Sequence, residues 1–242
     1  MSPDLVYGRR AVRETLRGRR EVLEVLATER AVAAEPWLAE TKPRLRPERD
    51  LSELAGTRDH QGVVARVEPY RYADAYELAS VERPLLAVLD KVTDPRNLGA
   101  VARSVAAFGG HGILVPARRS AGVTAGAWKA SAGALARIPV ARAANLARAL
   151  QSYRDAGVFV AGLDAAGDTP IRDLDLATAP LVLVTGSEGR GLSRIVSQAC
   201  DVLVRIPIAA RTESLNAGVA TGIALYEVAA IRALGSRSAA PS

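Results

Sequence analysis

Cysteine, histidine and lysine are scarce in this chain of 242 residues. It has one cysteine, Cys200, and two histidines, and only three of its 32 basic residues are lysine. A lone cysteine excludes an internal disulfide, which is typical of a protein of the reducing cytoplasm. Because the two histidines are isolated and no cysteine–histidine cluster exists, we expect no metal site.

Long apolar runs and two nucleotide-binding fingerprints are also missing. No stretch of about 18 residues is apolar and free of charge, so a membrane span is not expected. The opening MSPDLVYGRR lacks the apolar segment of a secretory signal. Neither GxGxxG nor GxxxxGK[ST] occurs, which argues against a nucleotide-dependent dehydrogenase and against a P-loop.

Arginine dominates the charge of the chain. The formal net charge is +6, which favours an acidic partner such as nucleic acid. Residues 1–83 carry 15 basic and 15 acidic side chains, so the excess lies in residues 84–242. Six arginines nevertheless crowd residues 8–20 beside a single acid, Glu14. Biased codon usage explains the abundance of arginine equally well, so charge alone leaves nucleic-acid binding open.

Apolar patterning divides the chain into two domains. Residues 1–68 contain one amphipathic helix and two short strands, which predicts a small α/β unit. Residues 69–83 are polar and bracketed by prolines, as linkers often are. In residues 84–235 apolar strands alternate with helices, which predicts a parallel sheet with helices on both faces. Residues 236–242 are expected to form a disordered tail. The expected strands of the large domain are 84–90, 111–116, 158–164, 181–185 and 202–208, and its last helix is 213–234.

Three loops follow these strands at their carboxyl ends, where ligands of such sheets bind. DKVTDPRNLGAVARS (90–104) places Asn97 at the start of a helix, where it can cap, and Arg103 in the second turn. LVLVTGSEGRGLSR (181–194) puts Glu188 inside a glycine-rich turn. Each has an ordinary alternative explanation. Arg103 fits a solvated helical arginine, and Glu188 fits a cap of the next helix.

The third loop is RIPIAARTESLNAGVATGIALYE (205–227). Ser214 and Asn216 stand at the start of the long last helix, where both could cap it. Gly218 and Gly222 lie inside that helix, and each costs about 1 kcal/mol relative to alanine. Such a cost indicates that another helix, a ligand or a second subunit approaches the backbone closely.

In this order, NLGAVARS, GSEGRGL and IPI...ESLNAGVATGIALYE resemble the three motifs of the SpoU family of RNA ribose 2′-O-methyltransferases, within the SPOUT superfamily. The resemblance covers residues 84–234. Upstream, VYGRRAVRETL and RDHQGVVARVEPY resemble the substrate-binding domain of the family's ribosomal RNA guanosine-2′-O-methyltransferases. In the third motif, Ala217 and Gly218 replace the usual valine and serine, so a hydroxyl is missing there.

The resemblance implies a fold, a cofactor and an assembly. It implies S-adenosylmethionine as the cofactor, a homodimer, and a C-terminal domain threaded into a deep trefoil knot. Catalytic or orienting roles fall on Asn97, Arg103, Glu188, Ser214 and Asn216. Contacts with the cofactor, largely through backbone groups, fall on Thr185, Gly186, Gly191, Ile206, Ile208 and Leu215. We expect the substrate RNA to be bound through its phosphates by Arg9, Arg10 and Arg13.

Arg103 is expected to act as a permanent cation. A guanidinium has a pKa above about 12 and stays protonated, so we expect Arg103 to clamp a phosphate and stabilise a developing alkoxide. The expected reaction is methylation of the ribose 2′-OH of a guanosine in 23S ribosomal RNA. The alternatives are transfer RNA, or another ribosomal nucleotide methylated for antibiotic resistance. A silent RNA-binding assembly factor is a third alternative, which would have no need of all these side chains.

Overall fold

The computed structural model describes residues 3–18, 20–209 and 214–238, with side chains up to residue 234. The last helix runs to Ser238, so residues 236–238 of the expected tail continue it, and residues 239–242 lie outside the described part. A helix propagates more readily than it nucleates, which accounts for these extra residues.

In its described residues, the small domain consists of a four-stranded sheet and four short helices. Its strand order is β1-β4-β2-β3, with β4 antiparallel to β1 and β2, and β3 parallel to β2. The helix and both strands expected in residues 1–68 are present. The elements are β1 Asp4–Tyr7, α1 Arg9–Arg17, β2 Val22–Ala27, α2 Glu29–Ala34, α3 Pro36–Glu40, β3 Arg44–Leu45, α4 Glu48–Ala55 and β4 Val63–Val67.

The large domain is built on a sheet of seven parallel strands, which confirms the predicted α/β class. The order along the sheet is β7-β6-β5-β10-β8-β11-β9. The strands are β5 Leu85–Leu89, β6 Gly112–Pro116, β7 Val140–Ala143, β8 Phe159–Leu163, β9 Thr169–Pro170, β10 Leu181–Thr185 and β11 Val202–Arg205. Strand order alone does not establish the threaded knot, which stays a prediction.

Helices cover both faces of this sheet because successive strand residues point to opposite sides. Leu85 and Ala87 face one hydrophobic cluster, and Leu86 and Val88 face the other. The first cluster includes residues of α5 and α9, and the second includes residues of α7 and α8. The helices are α5 Pro95–Ala107, α6 Ala125–Ala130, α7 Leu146–Asp155, α8 Arg194–Gln198 and α9 Ala217–Ser238.

Several expected boundaries were wrong at the ends of elements. Helix α5 begins at Pro95, because Asp94 is its cap and accepts a hydrogen bond of 2.8 Å from the Arg96 amide. Strand β11 ends at Arg205 rather than at residue 208, since Pro207 has no N–H to donate to a ladder. The last helix begins at Ala217 rather than at 213.

Helix α9 is the one helix in the described residues that is long and apolar enough, by length and composition, to cross a membrane. Its side chains Ala224, Leu225 and Val228 are buried in the core, where the helix packs against α5 and β10. The apolar character of α9 therefore serves, at least on this face, the interior of a folded domain.

One hydrophobic cluster spans the two domains. Val12 of the small domain and Trp128 of the large domain belong to the same buried cluster. The Trp128 indole Nε1 donates a hydrogen bond of 2.7 Å to Oγ1 of Thr15, and both side chains are buried. Arg20 lies 4.9 Å over the Trp128 ring and is ion-paired with Asp4. These contacts fix the small domain against the large one.

Residues 69–83, expected as a linker, pack onto the large domain. The rings of Tyr70 and Tyr72 meet edge to face at 5.0 Å, and Tyr70 lies 6.0 Å from Trp128. Ala73 forms a parallel bridge with Ala141 of the edge strand β7.

Candidate active site

The loops after β5 and β10 are joined to each other at the carboxyl edge of the sheet. Leu89 and Thr185, the last residues of these strands, are paired in register. Just beyond them, the Asp90 amide donates a hydrogen bond of 2.8 Å to the Thr185 carbonyl. The buried Asp90 carboxylate accepts a hydrogen bond of 2.7 Å from the Ser193 amide. Asp90 therefore fixes both ends of the glycine-rich turn.

That turn is closed by its own backbone. Ser187 and Gly191 exchange two amide–carbonyl hydrogen bonds, of 3.1 and 2.9 Å. Gly186 is essential to this closure, because a Cβ at that position would lie 2.0 Å from the carbonyl carbon of Gly191. Gly189 and Gly191 take positive φ angles of 76° and 61°, which only glycine adopts readily. The closed turn leaves Glu188 exposed at its tip.

Glu188 meets side chains from two other loops that are distant in the sequence. Its Oε1 accepts hydrogen bonds from Nδ2 of Asn97 at 2.9 Å and from Nδ2 of Asn216 at 2.7 Å. Asn216 also donates to Oδ1 of Asn97 at 2.9 Å. We call these three residues the amide–carboxylate cluster. Its members come from the ends of β5, β10 and β11, as parallel-sheet topology requires.

Helix caps explain how these side chains are positioned. Asp94 caps α5, so Asn97 does not cap it, contrary to expectation, and its side chain is available to Glu188. Asn216 does cap α9, because its Oδ1 accepts hydrogen bonds from the amides of Gly218 at 3.0 Å and Val219 at 3.2 Å. Glu188 lies beside the same helix terminus, 3.5 Å from the Ala217 amide, where the helix dipole favours a carboxylate.

Arg103 does not join the cluster of its own chain. It lies six residues after Asn97, which places it about 120° away around the helix axis. Its side chain is exposed and makes no hydrogen bond or ion pair within the described residues. Arg103 is therefore a free cation at the side of α5.

The glycines of α9 face another helix, which decides between the three candidates for the close approach. A Cβ at Gly222 would lie 3.0 Å from Oγ of Ser104, and one at Gly218 would lie 3.2 Å from the Ala100 Cβ. Both neighbours belong to α5. The close contact positions the amides of α9 beside Asn97.

Comparison with known proteins identifies this arrangement. The SpoU rRNA Methylase family model matches residues 84–226. This chain belongs to the SpoU family. A second family model, described as RNA 2′-O ribose methyltransferase substrate binding, matches residues 5–73. An uncharacterized tRNA/rRNA methyltransferase of Mycobacterium ulcerans (strain Agy99) is 50% identical over 244 residues, covering 92% of this chain and 78% of the relative.

Solved structures agree with this assignment. The SpoU methyltransferase AviRb from Streptomyces viridochromogenes, in complex with the cofactor AdoMet, superposes with a TM-score of 0.81 at 29% identity, covering 96% of this chain and 91% of that chain. An AdoMet-bound rRNA methyltransferase from Sinorhizobium meliloti gives a TM-score of 0.78 at 29% identity, covering 94% and 87%. The SpoU protein described here is an RNA methyltransferase that uses S-adenosylmethionine.

Three of the expected cofactor residues of this SpoU chain suit the uncharged nucleoside part of the cofactor. Outside the strand ladder, the backbone groups of Ile206, Ile208 and Leu215 make no hydrogen bond to another residue of the described ranges. Ile206 and Leu215 are half-buried and apolar. Free backbone groups beside apolar side chains suit a nucleoside, and the nearby Glu188 carboxylate would repel a phosphate but attract a sulfonium. Ser214 is exposed, and residues 210–213 just before it lie outside the described part.

Thr185 of the SpoU chain is used inside the fold. Its buried hydroxyl lies 2.8 Å from Oγ1 of Thr221, which in turn donates to the Ala217 carbonyl at 2.7 Å. Sequence reasoning missed Thr221 and Asp90. Asp90 carried a usable signal, because an acid directly after a buried strand end needs hydrogen-bond partners.

The cysteine and the single histidine of the large domain, Cys200 and His111, have structural roles. Burial, and then the charge of Asp201, raise the pKa of the Cys200 thiol to about 12. The thiol therefore stays protonated near neutral pH and donates to the Val196 carbonyl at 3.3 Å, as expected of a packing residue. His111 accepts a hydrogen bond of 3.1 Å from the Leu85 amide at the start of β5.

The arginines of α1 differ in availability. Arg9 is ion-paired with Glu35 at 3.2 Å and donates to the Gln61 carbonyl. The side chain of Arg10 is exposed and has no hydrogen bond or ion pair in the described part of the chain. Arg13 is exposed, with its guanidinium 6.0 Å from the centre of the Trp37 ring. Arg10 is thus the freest of the three to contact a phosphate.

Proposed function

We propose that this SpoU enzyme methylates the ribose 2′-OH of a guanosine in 23S ribosomal RNA. The description of the family model for residues 5–73 supports a ribose 2′-OH as the acceptor. The likeness to the Sinorhizobium meliloti rRNA methyltransferase spans 94% of the chain, small domain included, and supports ribosomal RNA. The observation that carries the proposal is the amide–carboxylate cluster, which three motifs assemble at one sheet edge.

Bound S-adenosylmethionine supplies an electrophilic methyl group on a sulfonium. The chain's own part is to hold and orient it. The backbone groups of Ile206, Ile208 and Leu215 bind the uncharged portions, and the Glu188 carboxylate provides the negative charge nearby. Asn97 and Asn216 hold that carboxylate in place through hydrogen bonds of 2.9 and 2.7 Å.

Arg103 acts on the ribose and its adjacent phosphate. As a permanent cation it stabilises the oxygen that becomes negative as the 2′-OH loses its proton. Because Arg103 stands apart from the cluster of its own chain, we assign it to the site of a partner subunit. Alignment of the hydroxyl with the methyl donor supplies the rest of the rate enhancement.

A homodimer follows from this assignment, and the exposed apolar side chains of α9 support one. Val219 and Tyr226 on α9 are 50% and 55% exposed, and Tyr226 packs edge to face on Phe108 at 5.7 Å. Large apolar side chains on one face mark a protein contact. The threaded knot and a cytoplasmic location belong to the same proposal, the latter supported by the single cysteine.

Two measurements test the proposed function. Ribose methylation should be mapped on total RNA from cells with and without this gene, and from cells that carry Arg103→Ala. We expect one guanosine of 23S RNA to lose its methyl group in both altered strains. A lost methyl group in transfer RNA, or on another ribosomal nucleotide, would replace the proposed substrate. Calorimetry with S-adenosylmethionine on the full chain should give heat of binding, and none would contradict the cofactor assignment.

A further inference from the structure

A groove crosses the small domain. Its lining residues lie outside the three motifs of the large domain. Its middle is a cavity of about 350 Å³ lined by Arg9, Thr28, Arg30, Glu48, Arg58 and Gln61. Adjoining cavities of about 410 and 640 Å³ share Glu48 with it. The volume of the middle cavity lies at the lower end of the usual range for small-molecule sites. The groove continues on both sides of it.

One wall of this cavity is held by a chain of hydrogen bonds through His60. The Gly62 amide donates to Nδ1 of the buried His60 at 3.1 Å, and Nε2 of the same ring lies 2.9 Å from Oγ of Ser52. Ser52 donates in turn to the Glu48 carbonyl at 3.0 Å. A ring that accepts at Nδ1 carries its proton on Nε2, so His60 connects the loop before β4 to helix α4.

The same loop is strained and braced. Gln61 takes a φ of 55°, a left-handed conformation that side chains other than glycine rarely adopt. A Cβ at Gly62 would lie 2.7 Å from Oγ1 of Thr28, so the loop packs directly on the start of α2. Lys129 of the large domain holds it from outside, with Nζ 3.1 Å from the Asp59 carboxylate. Strain of this kind persists only where the surroundings enforce it, and it concentrates at functional sites.

The charges around the cavity are not used by the fold. The side chains of Arg30 and Arg58 are exposed and make no hydrogen bond or ion pair with any residue in the described ranges. The Glu48 carboxylate is also exposed and without an ion pair there. Arg9 differs, since it is bound to Glu35. Two free cations and one free carboxylate thus line a concave surface with a fixed wall.

We propose that this cavity binds one unpaired guanosine nucleotide of the substrate RNA. A guanidinium is suited to phosphate oxygens, so Arg30 and Arg58 bind the backbone of that nucleotide. A carboxylate accepts hydrogen bonds but donates none, so Glu48 selects a base edge with adjacent N–H groups, as guanine has at N1 and N2. The inference rests on the proposed function, in which the substrate is RNA.

Binding of short RNA to the full chain tests the proposal. The probes are labelled single-stranded hexamers, UUUUUU and the same with a central G, A or C, followed by fluorescence anisotropy. We expect the G-containing hexamer to bind most tightly. Arg30→Ala and Arg58→Ala should each weaken binding of every hexamer by about tenfold and lower the salt dependence by about one phosphate contact. Glu48→Gln should remove the preference for G and leave affinity for UUUUUU unreduced.

Arg66→Ala is the matched control. Arg66 is a half-exposed arginine of the same domain, on β4, with Glu24 as its partner and outside the cavity. Equal losses in all three arginine variants would show diffuse attraction only and overturn the phosphate assignment. A preference for G that is absent, or that survives Glu48→Gln, would overturn the base assignment. Thermal unfolding of each variant confirms the fold.

Failure of this inference is distinguishable from failure of the proposed function. If the native enzyme methylates ribosomal RNA and Arg58→Ala leaves the KM for that RNA unchanged, the proposal for the cavity is overturned and the proposed function stands. Native enzyme that methylates no ribosomal RNA would overturn the proposed substrate.

Discussion

The side-chain nitrogen of Asn216 donates a hydrogen bond of 2.7 Å to Oε1 of Glu188, 28 residues away in the sequence. Asn97 donates to the same oxygen, so two neutral amides bind one carboxylate. Glu188 has no ion pair among the described residues, and its negative charge is therefore held in place without being neutralised. Such a charge is available to attract a cationic ligand.

Glu188→Gln should distinguish this electrostatic role from simple packing. The substitution keeps the size of the side chain and removes its charge. We expect the affinity for S-adenosylmethionine to fall by about tenfold, equal to about 1.4 kcal/mol. The affinity for S-adenosylhomocysteine, which has no sulfonium, should change much less. Calorimetry with both ligands measures the difference.

The matched control is Glu53→Gln, which removes one exposed carboxylate from the small domain. It should alter neither affinity. If Glu188→Gln lowered the affinities for both ligands equally, the carboxylate would act by hydrogen bonding or shape. The hypothesis that it attracts the sulfonium would then be rejected.

Arg103→Ala should lower the methylation rate by at least about 100-fold, the usual effect of removing one preorganised charge from a transition state. The affinity for S-adenosylmethionine should stay unchanged, because on the proposed function Arg103 acts on the ribose and its adjacent phosphate and not on the cofactor. Single-turnover methylation and calorimetry measure the two quantities.

Mixed dimers then decide which subunit supplies Arg103. One subunit carries Arg103→Ala, and the other carries Glu188→Arg, which reverses the charge beside the cofactor. If Arg103 serves the partner's site, the mixture recovers one intact site per mixed dimer and regains activity. If the mixture stays as inactive as either variant alone, Arg103 acts within its own subunit and our assignment is wrong.

Gly99→Ala should destabilise the enzyme by about 2 kcal/mol, the usual effect of overpacking. A Cβ at this position in α5 would lie 2.3 Å from the Ala127 carbonyl oxygen of α6, so the helices must separate. Gly126→Ala is the control in α6, where the nearest atom lies 3.7 Å from the added Cβ. It should change stability by less than about 1 kcal/mol. Urea unfolding measures both, and equal effects would contradict the packing argument.

Sequence reasoning located the candidate site because parallel strands end at one edge of their sheet. That rule brings Asn97, Glu188 and Asn216 together without any knowledge of side-chain geometry. It could not place Arg103, because the rule locates only the residues directly after a strand, and Arg103 lies in the second turn of the helix that follows. Asp94 and Asn97 are both good caps, and only the backbone conformation shows that Asp94 is the one used.

The shortest elements could not be predicted for a different reason. Strands β3 and β9 have two residues each, which is too few for any alternation of apolar and polar positions. Strand β7, with the sequence VARA, places an arginine among apolar residues and resembles a loop. Arg9 is bound by Glu35, 26 residues away, and no local pattern indicates such a tertiary ion pair.

The buried hydrogen bond between Thr15 and Trp128 gives the molecule a fixed internal span. This bond and the contacts of Arg20 hold the small domain against the large one, so an RNA bound by one domain meets the other at a set distance. On the proposed function, the distance between the two domains then determines which nucleotide of the bound RNA reaches the methyl donor. The folded shape of the RNA, more than the base sequence around the methylated ribose, would determine which ribose reaches the active site.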